Sequence, residues 1–195
     1  MKAIAAFPAE QRVRPIRHPA PPPPRGSQLR VRTLQVGVCG TDGELCAFHF
    51  GHPPPRQPYL VLGHEALGVV EAVGPEVRSL AAGELVVPSV RRPCPRGDCP
   101  TCRTLNQDYC VTGEYTERGI FGAHGFLAEH FVEEERFLFH VPDALRSVGV
   151  LTEPLTIAEK GLRQYLAIQR RLPWMREASA ADLLRDRRAV VLGAG

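Results

Sequence analysis

The stretch that decides the fold is Gly63-His64-Glu65-Ala66-Leu67-Gly68-Val69-Val70-Glu71-Ala72-Val73-Gly74. It places an imidazole and a carboxylate side by side and then continues as an apolar run, which is typical of a β-strand. Imidazole and carboxylate groups suit a divalent metal such as zinc. Neighbouring residues on a regular strand point to opposite faces, so both side chains reach one ion only if the chain bends, which Gly63 permits. Otherwise one residue binds the ion, and the other orients that residue or replaces it as a ligand during turnover. The alternative is that His64 and Glu65 are solvated and have no functional role.

The segments around this stretch predict a mainly β fold with some α-helix. Short strands are predicted at residues 3–7, 29–38, 69–73, 85–90, 126–132 and 137–141. The alternation of apolar residues along 29–38 changes phase near Thr33, which predicts a bulge or bend. The last two strands are predicted to pair across the acidic turn 133–135. Several short strands with Gly/Pro turns favour a small barrel.

The pattern changes after Pro142, where helical spacing replaces alternation. The apolar positions that recur at this spacing are Leu155, Ala158, Leu162, Tyr165 and Leu166. They predict a helix, and a second short helix is predicted within residues 176–188. Residues 189–192 then predict a buried strand, followed by Gly193-Ala194-Gly195, which is typical of the first glycine turn of a Rossmann domain. We therefore predict three parts: a zinc-binding domain (1–152), a helical connection (153–188) and the start of a cofactor domain (189–195).

Composition excludes several classes of function. The net charge of +3 is too small to favour nucleic acid or membrane surfaces. No apolar run approaches the length of a membrane span, and the first 20 residues lack a secretory signal. The six cysteines are therefore predicted to be in a reducing cytoplasm, where clustered thiols more often bind metal than form disulfides.

Four cysteines form a separate cluster with the spacing C-x4-C-x2-C-x7-C. They are Cys94, Cys99, Cys102 and Cys110. Four thiolates satisfy a tetrahedral zinc ion, and the glycine and proline residues between them favour a loop that wraps one ion. We predict a structural zinc site, although the first gap is wider than the usual C-x2-C.

Two cysteines lie outside that cluster. Cys46 has no partner in the sequence and is interpreted as a small apolar residue. Cys39 follows an alternating strand and precedes Thr41 and Asp42. Cys39 with His64 supplies one thiolate and one imidazole, and a carboxylate would complete three ligands and leave a fourth position open, as catalytic zinc requires.

These motifs together resemble the zinc-dependent medium-chain alcohol dehydrogenases, and within them the microbial glucose dehydrogenases. The segments that carry the resemblance are Cys39-Gly40-Thr41-Asp42, the Gly63–Gly74 stretch, the cysteine cluster, Val90-Arg91-Arg92-Pro93, Glu117-Arg118-Gly119-Ile120, Gly122-Ala123-His124-Gly125 and Leu151-Thr152-Glu153-Pro154. The resemblance implies a GroES-like β-barrel catalytic domain that ends at the first strand of a Rossmann domain. It also implies a homo-oligomer when full length.

The resemblance implies a role for each matching residue. Cys39 and His64 would hold a catalytic zinc, with Glu65 in its coordination shell or just outside it and taking part in catalysis. Glu153 would supply a further carboxylate to this zinc and would bind the substrate.

The remaining implied roles concern substrate and cofactor. Thr41 would bind the substrate and pass its hydroxyl proton onward, and Glu114 would bind sugar hydroxyls. Gly193 and Gly195 would belong to the phosphate turn for NAD or NADP. The implied reaction is oxidation of D-glucose or a related aldose at C1 to the lactone.

Two alternatives stay open at this point. One is another zinc-dependent polyol or alcohol dehydrogenase, and the other is a non-catalytic zinc-binding barrel. The sequence does not decide between NAD and NADP, because the deciding residue lies about 20 positions beyond the glycine turn. We also expect the 195-residue chain by itself to be inactive, because the strand at 189–192 lacks neighbouring parallel strands and the glycine turn lacks the helix that would hold the pyrophosphate.

Overall fold

The stretch after His64 forms the nine-residue central strand of an antiparallel sheet. In this computed structural model the described residues are 1–177, 179–185, 188 and 190. Their strands are β1 (Lys2–Phe7), β2 (Arg12–Arg17), β3 (Gln28–Gly37), β4 (Leu60–Val61), β5 (Glu65–Val73), β6 (Leu85–Pro88), β7 (Arg91–Arg92), β8 (Thr116–Arg118), β9 (Gly122–Ala123), β10 (His130–Glu134) and β11 (Leu138–Val141). Their α-helices are α1 (Gly40–Cys46), α2 (Thr152–Gln169) and α3 (Ala180–Leu184).

The described strands form three sheets. A five-stranded sheet has the order β10-β3-β5-β6-β11, and two three-stranded sheets have the orders β2-β1-β4 and β7-β8-β9. The predominance of strand confirms the predicted mainly β class. The phase change near Thr33 is also observed, because the register between β3 and β5 shifts between Thr33 and Gln35.

The five-stranded sheet is strongly curled. Its edge strands β10 and β11 are separated by four interstrand steps, which would place them about 19 Å apart in a flat sheet. Only the three residues Glu135–Phe137 connect them. The chain from Glu134 to Leu138 spans at most about 14 Å. The two edges must therefore bend toward each other, as the predicted small barrel requires.

The predicted pairing of residues 126–132 with 137–141 is wrong. β10 pairs with β3, and β11 pairs with β6 at the opposite edge of the sheet. The turn between them is fixed by a more distant segment of the chain. The Glu135 carboxylate accepts hydrogen bonds from the backbone N–H groups of Arg78 and Ser79. Those hydrogen bonds hold the pKa of Glu135 below its ordinary value, with Ser79 contributing most.

The core of this sheet is built from the inward faces of its strands and the segment before β10. The rings of Phe126 and Phe131 lie 4.7 Å apart between their centroids. The buried core residues are Leu29, Val31, Ala66, Val70, Leu80, Val86, Phe126, Phe131 and Leu138. Full burial of each large apolar side chain contributes about 1.5–3 kcal/mol, so this cluster contributes substantially to the stability of the sheet.

The chain divides into two compact units, Met1–Glu153 and Pro154–Gly195. The predicted helix over residues 155–166 is observed as α2, and none of its residues is buried. The second predicted helix is observed as α3, where Ser179 and Asp182 form a reciprocal capping box. Of the predicted strand 189–192 only Val190 is described, and Gly193 and Gly195 lie outside the described residues. Among the described residues, no helix combines the length and apolarity needed to cross a bilayer.

Candidate metal centres

Cys39 lies in the two-residue gap between β3 and α1, and α1 itself was not predicted. The backbone N–H of Cys39 donates a 3.0 Å hydrogen bond to the Asp42 carboxylate. This hydrogen bond satisfies a backbone donor that the helix leaves without a partner. It also fixes the turn that presents the Cys39 thiol at the end of β3.

The bend predicted at Gly63 is present. Gly63 has φ +87°, and a Cβ there would lie 2.8 Å from the backbone nitrogen of Leu127. The left-handed conformation and the close approach both require glycine. His64 therefore precedes β5, while Glu65 is its first residue. Because His64 lies outside the regular strand, the alternation of a strand does not separate the two side chains.

Cys39, His64 and Glu65 converge on one point. The thiol Sγ of Cys39 lies 3.3 Å from Nε2 of His64, and that nitrogen lies 3.9 Å from Oε1 of Glu65. One ligand atom from each residue lies within 4.8 Å of the others. Ligands on a tetrahedral zinc are about 3.4–3.6 Å apart, given zinc bond lengths of about 2.0–2.3 Å. The spacing fits a zinc ion with three protein ligands.

The burial of these residues also fits a cation. Glu65 is 6% exposed and His64 is 4% exposed. Within the described part of the chain, no lysine or arginine forms an ion pair with the Glu65 carboxylate, whose partner is His64. A buried carboxylate without a cationic partner is costly. A zinc ion at the centre of the three ligands would remove that cost.

The carboxylate of Glu65 occupies space that only a glycine at position 37 leaves open. Gly37 and Glu65 are paired in the register of β3 and β5. A Cβ on Gly37 would lie 2.1 Å from Oε2 of Glu65. The absence of a side chain at the end of β3 is therefore part of the construction of this site.

Asp42 is a residue of the site to which the sequence analysis assigned no role. It is 7% exposed, and its Oδ1 lies 3.6 Å from Nδ1 of His64, a buried nitrogen that has no hydrogen-bond partner among the described residues. A carboxylate on this side orients the imidazole and favours the tautomer whose Nε2 is free to bind metal. The signal available in the sequence was its position three residues after Cys39.

The structure places Glu153 near this centre. Glu153 is half-buried, and burial raises its pKa, with the charge of Glu65 adding to the effect and that of His64 opposing it. Thr41 is half-buried in the first turn of α1, two residues after Cys39.

Glu114 is not brought to this centre by any contact among the described residues. It is exposed, and its backbone N–H donates to the hydroxyl of Thr112. The pKa of Arg96 is raised first by a hydrogen bond to Asp98 and then by the charge of Glu114. These neighbours belong to the loop that carries the four clustered cysteines.

The four clustered cysteines form a second centre. Their sulfur atoms lie within 4.8 Å of one another, as a tetrahedral four-thiolate zinc site requires. Hydroxyl groups support the thiolates, because Thr101 lies 3.4 Å from the sulfur of Cys99 and Thr112 lies 3.3 Å from that of Cys110. These contacts lower the pKa of both thiols.

Comparison with known proteins relates this chain to alcohol and glucose dehydrogenases. Residues 25–143 match the family described as the alcohol dehydrogenase GroES-like domain. Glucose 1-dehydrogenase of Methanocella arvoryzae is 45% identical over 195 residues, which is 100% of this chain and 51% of that protein. Glucose 1-dehydrogenase 1 of Caldivirga maquilingensis is 41% identical over 196 residues, again 100% of this chain and 51% of that protein.

Solved structures give the same relationship. The glucose dehydrogenase of Haloferax mediterranei, in complex with NADP, zinc and gluconolactone, has a TM-score of 0.80 and 41% identity, covering 89% of this chain and 48% of that chain. Galactitol-1-phosphate dehydrogenase from Escherichia coli has a TM-score of 0.72 and 26% identity, covering 86% of this chain and 45% of that chain. The chain spans about half the length of the curated relatives it matches.

Proposed function

Because this chain belongs to the family of alcohol dehydrogenase GroES-like domains, we propose that it supplies the zinc-binding catalytic part of an NAD(P)-dependent glucose 1-dehydrogenase. The observation that carries the proposal is the convergence of Cys39, His64 and Glu65 in a chain whose relatives are glucose 1-dehydrogenases. The reaction removes a proton from the C1 hydroxyl of D-glucose or a related aldose and a hydride from C1. Its products are the lactone and NAD(P)H.

The residues of the Cys39–His64–Glu65 centre and their neighbours would each have a separate role in this reaction. Cys39, His64 and Glu65 would hold the zinc, and a zinc ion with an open position supplies a Lewis acid that acidifies a bound hydroxyl. Asp42 would hold the His64 ring in the tautomer and orientation that the site needs. Thr41 would accept the hydroxyl proton and pass it to solvent.

Two carboxylates are proposed to bind the sugar. A carboxylate can accept hydrogen bonds from two hydroxyl groups, which suits a polyol. Glu153 would bind the hydroxyls around C1, and its electrostatic interaction with His64 and Glu65 supports a position beside the proposed zinc ligands. Glu114 would reach the sugar from the cysteine-bearing loop, and its exposure leaves its carboxylate available. The division into residues 1–152, 153–188 and 189–195, the cytoplasmic location and the homo-oligomer remain predictions.

A chimera tests this function. The 195-residue chain is joined to the remaining half of the Methanocella arvoryzae relative, which supplies a complete cofactor domain. We expect kcat/KM for glucose to exceed that for ethanol by at least about a hundredfold, with NAD or NADP as acceptor. Comparable values for the two substrates would favour the alternative of a simple alcohol dehydrogenase.

Two variants of the chimera separate catalysis from folding. His64→Ala should abolish turnover, because the centre loses its imidazole ligand, and a folded variant should still hold the zinc of the four-cysteine centre. His49→Ala is the matched control, since His49 is exposed and its partner Glu44 is exposed as well. An inactive chimera that binds zinc and cofactor normally would favour the non-catalytic barrel instead.

A further inference from the structure

Arg92 and Arg118, which have no role in the proposed function, lie in one cleft. Arg92 belongs to the Val90–Pro93 motif, and Arg118 belongs to the Glu117–Ile120 motif. Together with Arg136 they line an open cleft of about 290 Å³. The cleft is also lined by Glu133, Glu134 and Phe137.

Arg118 is a poorly compensated cation in this cleft. Its side chain is 18% exposed, and its closest carboxylate oxygen, on Glu133, lies 3.6 Å from Nε. Nε is buried and has no hydrogen-bond partner among the described residues. Burial, with a contribution from the charge of Arg92, lowers the pKa of Arg118 to about 10, and Glu133 opposes the shift. Its guanidinium lies 4.8 Å from the ring centroid of Phe126, a contact that leaves the Nε–H donor unsatisfied, so an anion that joins the guanidinium would lower the cost of its burial.

The other arginines are already oriented by protein contacts. Arg92 binds the Glu133 carboxylate, donates to the backbone oxygen of Ser89 at 2.8 Å, and stacks 4.3 Å from the ring centroid of Phe137. Arg136 stacks on the same ring at 4.7 Å. Two guanidinium groups therefore flank one aromatic ring at the cleft, and Arg92, whose side chain is largely buried, has little side-chain entropy left to lose on binding.

The charges of the cleft do not balance. Arg136 pairs with Glu134 at 2.7 Å, while Arg92 and Arg118 share the single carboxylate of Glu133. Three guanidinium groups thus face two carboxylates, and one positive charge is left over. That surplus matches the charge of a monoanion, whereas a bound phosphate dianion would leave the cleft with a net negative charge.

We propose that this cleft binds the monoanion of a small hydroxy acid. The guanidinium fork of arginine matches the two oxygens of a carboxylate, so Arg118 and Arg136 would bind the acid group. The carboxylates of Glu133 and Glu134 would accept hydrogen bonds from its hydroxyl groups. The volume limits the ligand to the size of a sugar acid. A lactone hydrolyses to such an acid, so the ligand would be the downstream product of this enzyme; this last link rests on the proposed function.

A binding titration without cofactor or substrate tests the cleft. Sodium gluconate is titrated into the 195-residue chain by isothermal calorimetry at constant ionic strength, with sorbitol as a polyol that lacks the carboxylate. We expect saturable binding of one gluconate per chain and none of sorbitol. Arg118→Gln and Arg136→Gln should each weaken binding by about tenfold or more, since each removes a charge-assisted contact. Arg146→Gln is the matched control, because Arg146 is exposed and does not line the cleft.

Several results would overturn the proposal. Binding that persists unchanged in both cleft variants would mean that gluconate sits at a metal centre instead. Equal binding of sorbitol, or tighter binding of inorganic phosphate, would contradict the assigned ligand class. If Arg118→Gln unfolds, Arg136→Gln decides the question, because its side chain is 59% exposed. Loss of dehydrogenase activity in the chimera would leave this binding result unaffected, so the two proposals fail separately.

Discussion

A side chain added at Gly37 would specifically perturb the candidate zinc site formed by Cys39, His64 and Glu65. In Gly37→Ala the new Cβ would lie 2.1 Å from Oε2 of Glu65, so that oxygen must move by about 1.3 Å to reach ordinary contact at 3.4 Å. The backbone of Glu65 is held in β5 opposite Gly37, so its side chain must rotate away instead. The carboxylate would then leave the position shared with Cys39 and His64.

The expected consequence is a selective loss of zinc from one centre. Displacing a ligand or its support costs roughly 10–100-fold in metal affinity. Dialysis against a chelator of graded strength, followed by elemental analysis, should therefore remove one zinc from Gly37→Ala under conditions where the unmodified chain keeps both. The four-thiolate centre serves as the internal reference, because Gly37 does not contact it.

A matched glycine variant controls for the general effect of adding a methyl group. Gly43 lies in α1, and a Cβ there meets nothing within 4 Å. Gly43→Ala should keep both zinc ions and should be slightly more stable, since alanine favours a helix by up to about 1 kcal/mol. Wild-type zinc affinity in Gly37→Ala would refute the reasoning that Glu65 binds the metal from this position.

Three further predictions concern the metal content, the cysteine centre and a buried histidine. Elemental analysis of the purified chain should find two zinc ions per chain, one in the four-cysteine cluster and one at the Cys39–His64–Glu65 site. Cys99→Ser should lower the melting temperature measured by calorimetry, because a structural zinc contributes folding free energy directly. The free energy of unfolding should fall by about 1–2 kcal/mol between pH 6.5 and 4, because burial lowers the pKa of His124 from 6.5 to about 4 and the unfolded chain takes up the proton first.

Each of these predictions has a control. A single zinc ion per chain would contradict two separate ligand sets. Cys46→Ser, at an exposed position, should leave the melting temperature unchanged, and the same result for Cys99→Ser would contradict the four-thiolate site. His124→Asn retains an acceptor for the backbone N–H of Val61 but does not titrate, so in chemical denaturation its loss of stability between pH 6.5 and 4 should be smaller by about 1–2 kcal/mol. An unchanged dependence would assign the effect to other groups.

The pattern of apolar residues and turns was sufficient for most of the local structure. The strand after His64, the bulge near Thr33 and the helix over residues 155–166 depend on alternation, spacing and glycine, all of which are local properties. The candidate metal ligands were equally accessible, since cysteine, histidine and carboxylate groups are chemically distinctive. Their proximity in sequence to glycine was enough to suggest the bend at Gly63.

What the sequence by itself determined, then, was the class of fold, the four-cysteine loop and the identity of the candidate ligands. Only the tertiary structure decided that β10 and β11 lie at opposite edges of a curled sheet, since strand pairing depends on contacts between distant segments. It also decided that Asp42 faces His64 and that Arg92 and Arg118 share one carboxylate. Such relations depend on distance and burial, and the interaction energy of charged groups is set by both; neither quantity can be read from the order of residues along a chain.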